Sequence, residues 1–205
     1  MLFDLHVHTS HSACSTLELG QILAHAAARG LDGVCLTDHN TMAAGQQVRE
    51  GIQADGLCVI VGMEYATPQG DFLLFGPFEQ LRPGLAAEEL LALVDELQGV
   101  AVAAHPHRAG RSTAEALVAG GCCRLVEEIN GRNSALENQR SQGWLNRYSL
   151  AACGGSDAHS LAELGRVVTS FSRPIRKRLD LVGALRAGAC RGDWNPRHAL
   201  NRLAA

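Results

Sequence analysis

Short apolar runs recur along the chain at residues 2–7, 33–37, 58–65, 72–75, 100–104, 125–129, 150–154 and 167–171, each of strand length. Helical periodicity fills most of the gaps. Ser15 and Glu18 form a capping-box pattern that predicts a helix running to Arg29 and stopped by Gly30. GLAAEELLALVDELQG carries apolar residues at three- and four-residue spacing, and DLVGALRAG repeats the pattern near the C-terminus. Strands alternating with helices predict a largely parallel sheet with crossover helices, and periodicity alone fits an open sheet as well as a barrel. No linker-like stretch interrupts residues 1–205, so one domain is expected, closing with a strand and helix over 166–205. No GxGxxG follows the first strand, and a dinucleotide-binding fold gains no support.

The polar residues that punctuate these runs fall at strand ends: His6-Val7-His8, Thr37-Asp38-His39, Glu64, His105, Asn130 and Asp157-Ala158-His159. In parallel α/β proteins the C-terminal strand ends are where active sites assemble, so residues far apart in sequence are expected at one mouth. His6 and His8 project from the same side of a strand, as do Asp157 and His159 if that segment is extended. An HxH alone fits a histidine-rich strand as well as a ligand pair. Six candidates, each ending its own strand, are harder to explain without an ion, because burying them unpaired costs several kcal/mol. Such a mixed nitrogen and oxygen set suits Zn²⁺, Mn²⁺ or Fe²⁺.

Composition narrows the setting. Hydrophobic residues make up 46% of the 205 and charged residues 19%, as in ordinary globular enzymes. A net charge of −3 and an aromatic content of 4% predict no bulk nucleic-acid binding and no membrane association. Seven cysteines without a CxxC pair, three of them inside apolar runs, predict a reducing, cytoplasmic environment, and MLFDLHVHT lacks the marks of a signal peptide.

Taken in order, DLHVHTSHS, LTDHN, GMEYA, AHPHR and GGSDAH resemble the motifs of the PHP (polymerase and histidinol phosphatase) superfamily, spread over residues 4–159. VEEIN and LGRVVTSF also resemble strings of its small stand-alone phosphoesterases. The resemblance implies a distorted (β/α)7 barrel with two or three divalent ions at the C-terminal ends of the strands. One metal position would use His6, His8, Glu64 and Asp157. A second would share Glu64 and add His105, with Asp71 standing where the family has histidine, a harder and more anionic donor. A third would use His39 and His159, but its remaining ligand falls on Ala13, which cannot bind; Cys14 is expected to face away, and His11 to face solvent. The third position is therefore expected to be weak, leaving His39 and His159 for substrate contact or proton transfer.

The expected function is a metal-dependent phosphoesterase acting on a small phosphorylated metabolite or nucleotide, by attack of a metal-bridging hydroxide. Arg108 and Arg132 are candidates to clamp the phosphate, with ordinary surface arginine as the competing reading, and His107 or His159 to protonate the leaving group. Asp4 and Asp38 are candidates to orient the histidines. Two alternatives compete. A carbon–nitrogen hydrolase of the amidohydrolase type also begins with HxH, but many such enzymes bridge metals through a carbamylated lysine, and the one lysine here, Lys177, lies after the last predicted strand. A non-catalytic metal-binding module is favoured only by Ala13. Oligomeric state is left open.

Overall fold

The computed structural model describes residues 1–201. Strand β1 (Leu2–Val7) opens the chain, followed by α1 (Leu19–His25), β2 (Gly33–Leu36), β3 (Gly51–Ile52), β4 (Cys58–Val61), β5 (Met63–Thr67) and β6 (Gly70–Phe75). Helices and strands then alternate through α2 (Ala87–Glu96), β7 (Val100–Ala103), α3 (Glu115–Ala119), β8 (Leu125–Asn130), α4 (Ala135–Tyr148) and β9 (Ala151–Gly155). The chain continues as β10 (Val167–Phe171), α5 (Arg178–Arg186), β11 (Cys190–Trp194) and α6 (Pro196–Asn201). The predicted C-terminal segment ends in α6, and residues 202–205 lie outside the described part.

The strands form two mixed sheets, ordered β11-β10-β1-β2-β4-β3 and β5-β6-β7-β8-β9. This corrects the expected (β/α)7 barrel: among the described residues the strands form two separate mixed sheets, joined only by isolated bridges, and six α-helices are present. The physical reason lies in the connections. β5, β6 and β7 pair antiparallel in succession, and β10 pairs antiparallel with both β1 and β11. Hence the sheets are not largely parallel either. The run at 58–65 is two strands, because the chain changes sheet at Gly62. A Cβ there would lie 2.5 Å from the Leu74 carbonyl oxygen, so only glycine permits the step.

Alternate positions of both sheets point into one shared layer. Phe3, Leu5, Cys35, Ile60, Leu73, Phe75, Val102, Leu125 and Cys153 are all buried within it. Phe3 meets Phe171 edge to face at 5.7 Å between centroids. The opposite faces carry a second cluster, with Val34, Leu36, Val59 and Val61 packed under Ile22, Leu90 and Val94 of the helices. Strands covered on both faces read as continuous apolar runs, which is why they are visible in the sequence.

Local deviations matter for the site. The first helix starts at Leu19, with Gln21 accepting from the Glu18 amide at 3.0 Å, and it ends at His25 before a 3-10 turn and Gly30. Ser15, expected at that cap, instead donates to the carbonyls of His8 and His159 at 3.0 and 3.2 Å. The segment after Asn130 folds as the 14-residue helix α4.

Candidate metal centre

At the C-terminal end of β1 the rings of His6 and His8 lie 5.0 Å apart between centroids, both fully buried. The neighbouring β2 delivers Thr37, Asp38 and His39, and Thr37 Oγ1 accepts from the Val7 amide at 3.1 Å. Antiparallel β6 presents its N-terminal end on the same side, bringing Asp71 near His105, which follows β7. Glu64 lies on β5, and Asp157 and His159 follow β9.

Hydrogen bonds fix which ring nitrogens are free. His6 Nδ1 is 2.9 Å from Glu127 Oε1, and a carboxylate can only accept, so Nδ1 carries the proton and Nε2 faces inward. Ser12 Oγ donates to Asp38 Oδ1 at 2.6 Å and accepts from the His39 amide. With its one hydrogen spent on Asp38, it accepts also from His8 Nδ1, at 3.2 Å, leaving His8 Nε2 as a lone pair. His159 Nδ1 donates to the Asp157 carbonyl at 2.9 Å, which frees its Nε2 in the same way.

These free atoms converge. Glu64 Oε2 lies 3.4 Å from His6 Nε2 and 3.3 Å from His8 Nε2. Asp157 Oδ1 lies 3.6 and 3.4 Å from the same two nitrogens. His6 Nε2, His8 Nε2 and Glu64 Oε2 are buried without any hydrogen-bond partner. A tetrahedral ion with bonds of about 2.0–2.1 Å needs donors about 3.3–3.4 Å apart, so the donor set fits a divalent cation. Two further groups of ligand atoms converge within 4.8 Å: His6 with Glu64 and His105, and His8 with His39 and His159. His105 Nε2 is 2.7 Å from Glu64 Oε1, so the two oxygens of Glu64 face different groups.

Electrostatics follow from the crowding. Burial disfavours charge on His6, but Glu127, Asp157 and Glu64 outweigh it and raise its pKa well above the usual value. Surroundings that favour a proton there favour a cation equally. Burial opposes ionisation of Glu64, yet His6, His105 and His39 hold its pKa well below the ordinary range. Asp157 is likewise lowered against burial, by His6, His8 and Arg108. Burial pushes His8 down to about 4 and lowers His159, so both are neutral near pH 7. Asp4, pushed up to about 6 by burial, accepts from the Ser156 amide and hydroxyl and from the Gly165 amide, bracing the loop after β9.

The backbone is strained here. His105 and Asp157 have φ of 31° and 55°, in the left-handed region that costs a non-glycine residue about 1–3 kcal/mol. Contacts hold them: the His105 amide donates to Glu127 Oε2 at 2.8 Å, and Arg108 Nη1 donates to Asp157 Oδ2 at 2.6 Å.

A cavity of about 310 Å³ opens over the cluster, lined by Glu64, His105, Asp157, His39 and His159 below and by Cys14, Arg108, Arg111 and Arg132 around the rim. Cys14, expected to face away, is on its wall; Ala13 and His11 are exposed. Arg108 is spent on Asp157, Asn130 and Asn133, so its guanidinium orients Asp157. Arg132 is half-exposed, 3.5 Å from Glu163. His107 does not line the cavity; its ring packs on Trp144 at 4.3 Å. Glu127, Ser12 and Arg111 were not singled out from the sequence, and Ser15 was read only as a helix cap.

Comparison with known proteins places the chain among relatives. Residues 135–190 match the family model described as PHP-associated. The uncharacterized protein MJ1587 of Methanocaldococcus jannaschii is 32% identical over 117 residues, covering 52% of this chain and 68% of that one. A Bacteroides vulgatus two-domain protein containing a predicted PHP-like metal-dependent phosphoesterase superposes with a TM-score of 0.72 at 18% identity, over 95% of this chain and 65% of that one. Endonuclease Q, solved with a 27-mer duplex substrate bearing an abasic lesion at the active site, superposes with a TM-score of 0.67 at 17% identity, over 93% of this chain and 58% of that one. At such identities the likeness is one of fold. It nevertheless corrects the exclusion of nucleic acid as a partner, since a DNA-cleaving enzyme shares this fold. Net charge averages the whole surface, whereas a nucleic-acid substrate can be met by a few arginines at one mouth. No helix among the described residues is long and apolar enough to cross a membrane.

Proposed function

We propose that the chain is a PHP-type, metal-dependent hydrolase of phosphate esters. His6, His8, Glu64 and Asp157 would hold one divalent ion, and Glu64 with His105 and Asp71 a second. The observation that carries the reading is the set of buried, unpartnered donors aimed at one point between His6, His8 and Glu64. Buried polar atoms left unpaired are costly, and their convergence suits a cation. Divalent ions bound there would supply an ionised water at neutral pH and neutralise charge on the phosphoryl oxygens.

The chain's own groups do the rest. Arg132 at the rim neutralises and orients the phosphate. His159, neutral and with Nε2 free, takes up a proton at the cavity floor, and His39 beside it relays protons to solvent. Arg108 keeps Asp157 in register with the two histidines of β1. A cavity of about 310 Å³ suits the phosphate-bearing end of a substrate, as a small phosphorylated compound or a nucleotide. Lys177 precedes α5 as its N-cap, away from the cluster, so a lysine-bridged carbon–nitrogen hydrolase is not supported.

The test is to measure bound metal in the purified protein, then assay phosphomonoesters, phosphodiesters and duplex DNA with added Mn²⁺. Asp157→Ala is expected to lose metal and turnover together. Metal-loaded protein that cleaves no ester in the panel overturns the proposal.

A further inference from the structure

Asp71 stands where the resembling family has histidine, and its carboxylate is buried beside the cluster. Arg111 Nη1 donates to its Oδ2 at 3.0 Å, and His105 Nε2 lies 4.0 Å from that same oxygen. The oxygen nearest His105 is thus already engaged. Asp157 differs: Oδ1 faces His6 and His8 while Oδ2 takes Arg108, so its two demands fall on separate atoms. Accordingly Asp157 belongs to a converging ligand group and Asp71 to none.

Arg111 is built to let go. It sits on the loop between β7 and α3, its side chain is half-exposed on the cavity wall, and Asp71 is its one ion-pair partner among the described residues. Asp71 Oδ2 lies within reach of both Arg111 and His105, so a guanidinium that leaves opens this buried oxygen to another cation.

We propose that Arg111 is a positioning residue that sets occupancy of the second metal position. It holds Asp71 while the cavity contains no phosphate. A phosphate that draws the guanidinium into the cavity frees Asp71 Oδ2 to complete the position made by Glu64 and His105, so substrate and second ion bind cooperatively. This rests on the metal-dependent reading above.

Mn²⁺ titrations of the full chain, with and without inorganic phosphate, count equivalents and affinities by the free-ion EPR signal. Wild type is expected to show a tight and a weaker class, with phosphate tightening the weaker one. Without phosphate, Arg111→Gln is expected to tighten that class by about fivefold or more, and phosphate then adds less. Arg132→Gln removes the same charge from the same cavity without touching Asp71, and its effect is expected to be smaller. In an Asp71→Asn background, Arg111→Gln is expected to exceed Arg132→Gln no longer. No tightening in Arg111→Gln, or tightening equal to that of Arg132→Gln, overturns the inference and leaves the metal centre standing. A wild-type protein that binds no Mn²⁺ overturns both, which keeps the two failures apart.

Discussion

Glu127 accepts from His6 Nδ1 through one oxygen and from the His105 amide and Asn130 Nδ2 through the other. One buried carboxylate therefore sets the tautomer of one candidate ligand and the strained backbone of another. Glu127→Gln keeps the size but removes the charge and places an amide donor against those donors. Metal affinity is expected to fall about 10- to 100-fold, with far-UV circular dichroism unchanged. Competition against a chromophoric chelator measures it, and an unaltered affinity would remove Glu127 from the centre. His6 and His8 were legible because period-two spacing declares a shared face. Glu127 was not, because VEEIN offers two adjacent glutamates and a register shift between Glu127 and Ile129 decides which turns inward. Packing reinforces the choice: a Cβ at Gly155 would lie 2.4 Å from His6 Cβ and 2.7 Å from Glu127 Oε1.

At the scale of elements, α4 shows how a helix far from the ions supports them. Asn138 on its buried side accepts from the Asn130 amide and from Asn133 Nδ2. Asn130 and Asn133 in turn hold Arg108, and Arg108 holds Asp157. The helix starts at Ser134, whose Oγ accepts from the Glu137 amide while Glu137 accepts from the Ser134 amide. Ser134→Ala is expected to cost about 1 kcal/mol, or roughly 2–4 °C in Tm, with kcat unchanged because the cap touches no cavity residue. A loss of turnover exceeding the loss of stability would mean that the cap sets Arg108 directly. Most strands were readable as apolar runs. α4 was not, because only Asn138, Ser141 and Trp144 of its 14 residues are buried, too narrow a stripe for periodicity to show. β11, CRGDW, also escaped: it lies at a sheet edge and has one buried residue.

Across the whole molecule the candidate ligands come from both sheets: His6 lies on β1 and His8 and His39 follow β1 and β2, while Glu64 lies on β5 and His105 and Asp157 follow β7 and β9. Strand order was the least legible feature, because antiparallel hairpins and parallel crossovers leave similar apolar runs. At the mouth the sheets are joined by isolated bridges, Val7 with Ala158 and His39 with Glu64. Ions bound between His6, His8, Glu64 and Asp157 would therefore tie one sheet to the other. At free metal about 100-fold above its dissociation constant, binding adds about 2.7 kcal/mol to stability, roughly 5–10 °C in Tm for a chain of this size. Chelation is expected to lower Tm by that amount and to do so unevenly. The amides that cross between the sheets, His8 to the Ala158 carbonyl, Ala158 to His6, Asn40 to Glu64 and Glu64 to Asp38, are expected to exchange hydrogen faster. Amides within the β2–β4 ladder, which the centre does not bridge, are expected to keep their protection. Uniform loss of protection across both sets would show that the ions stabilise the fold as a whole and do not staple its two sheets at the mouth.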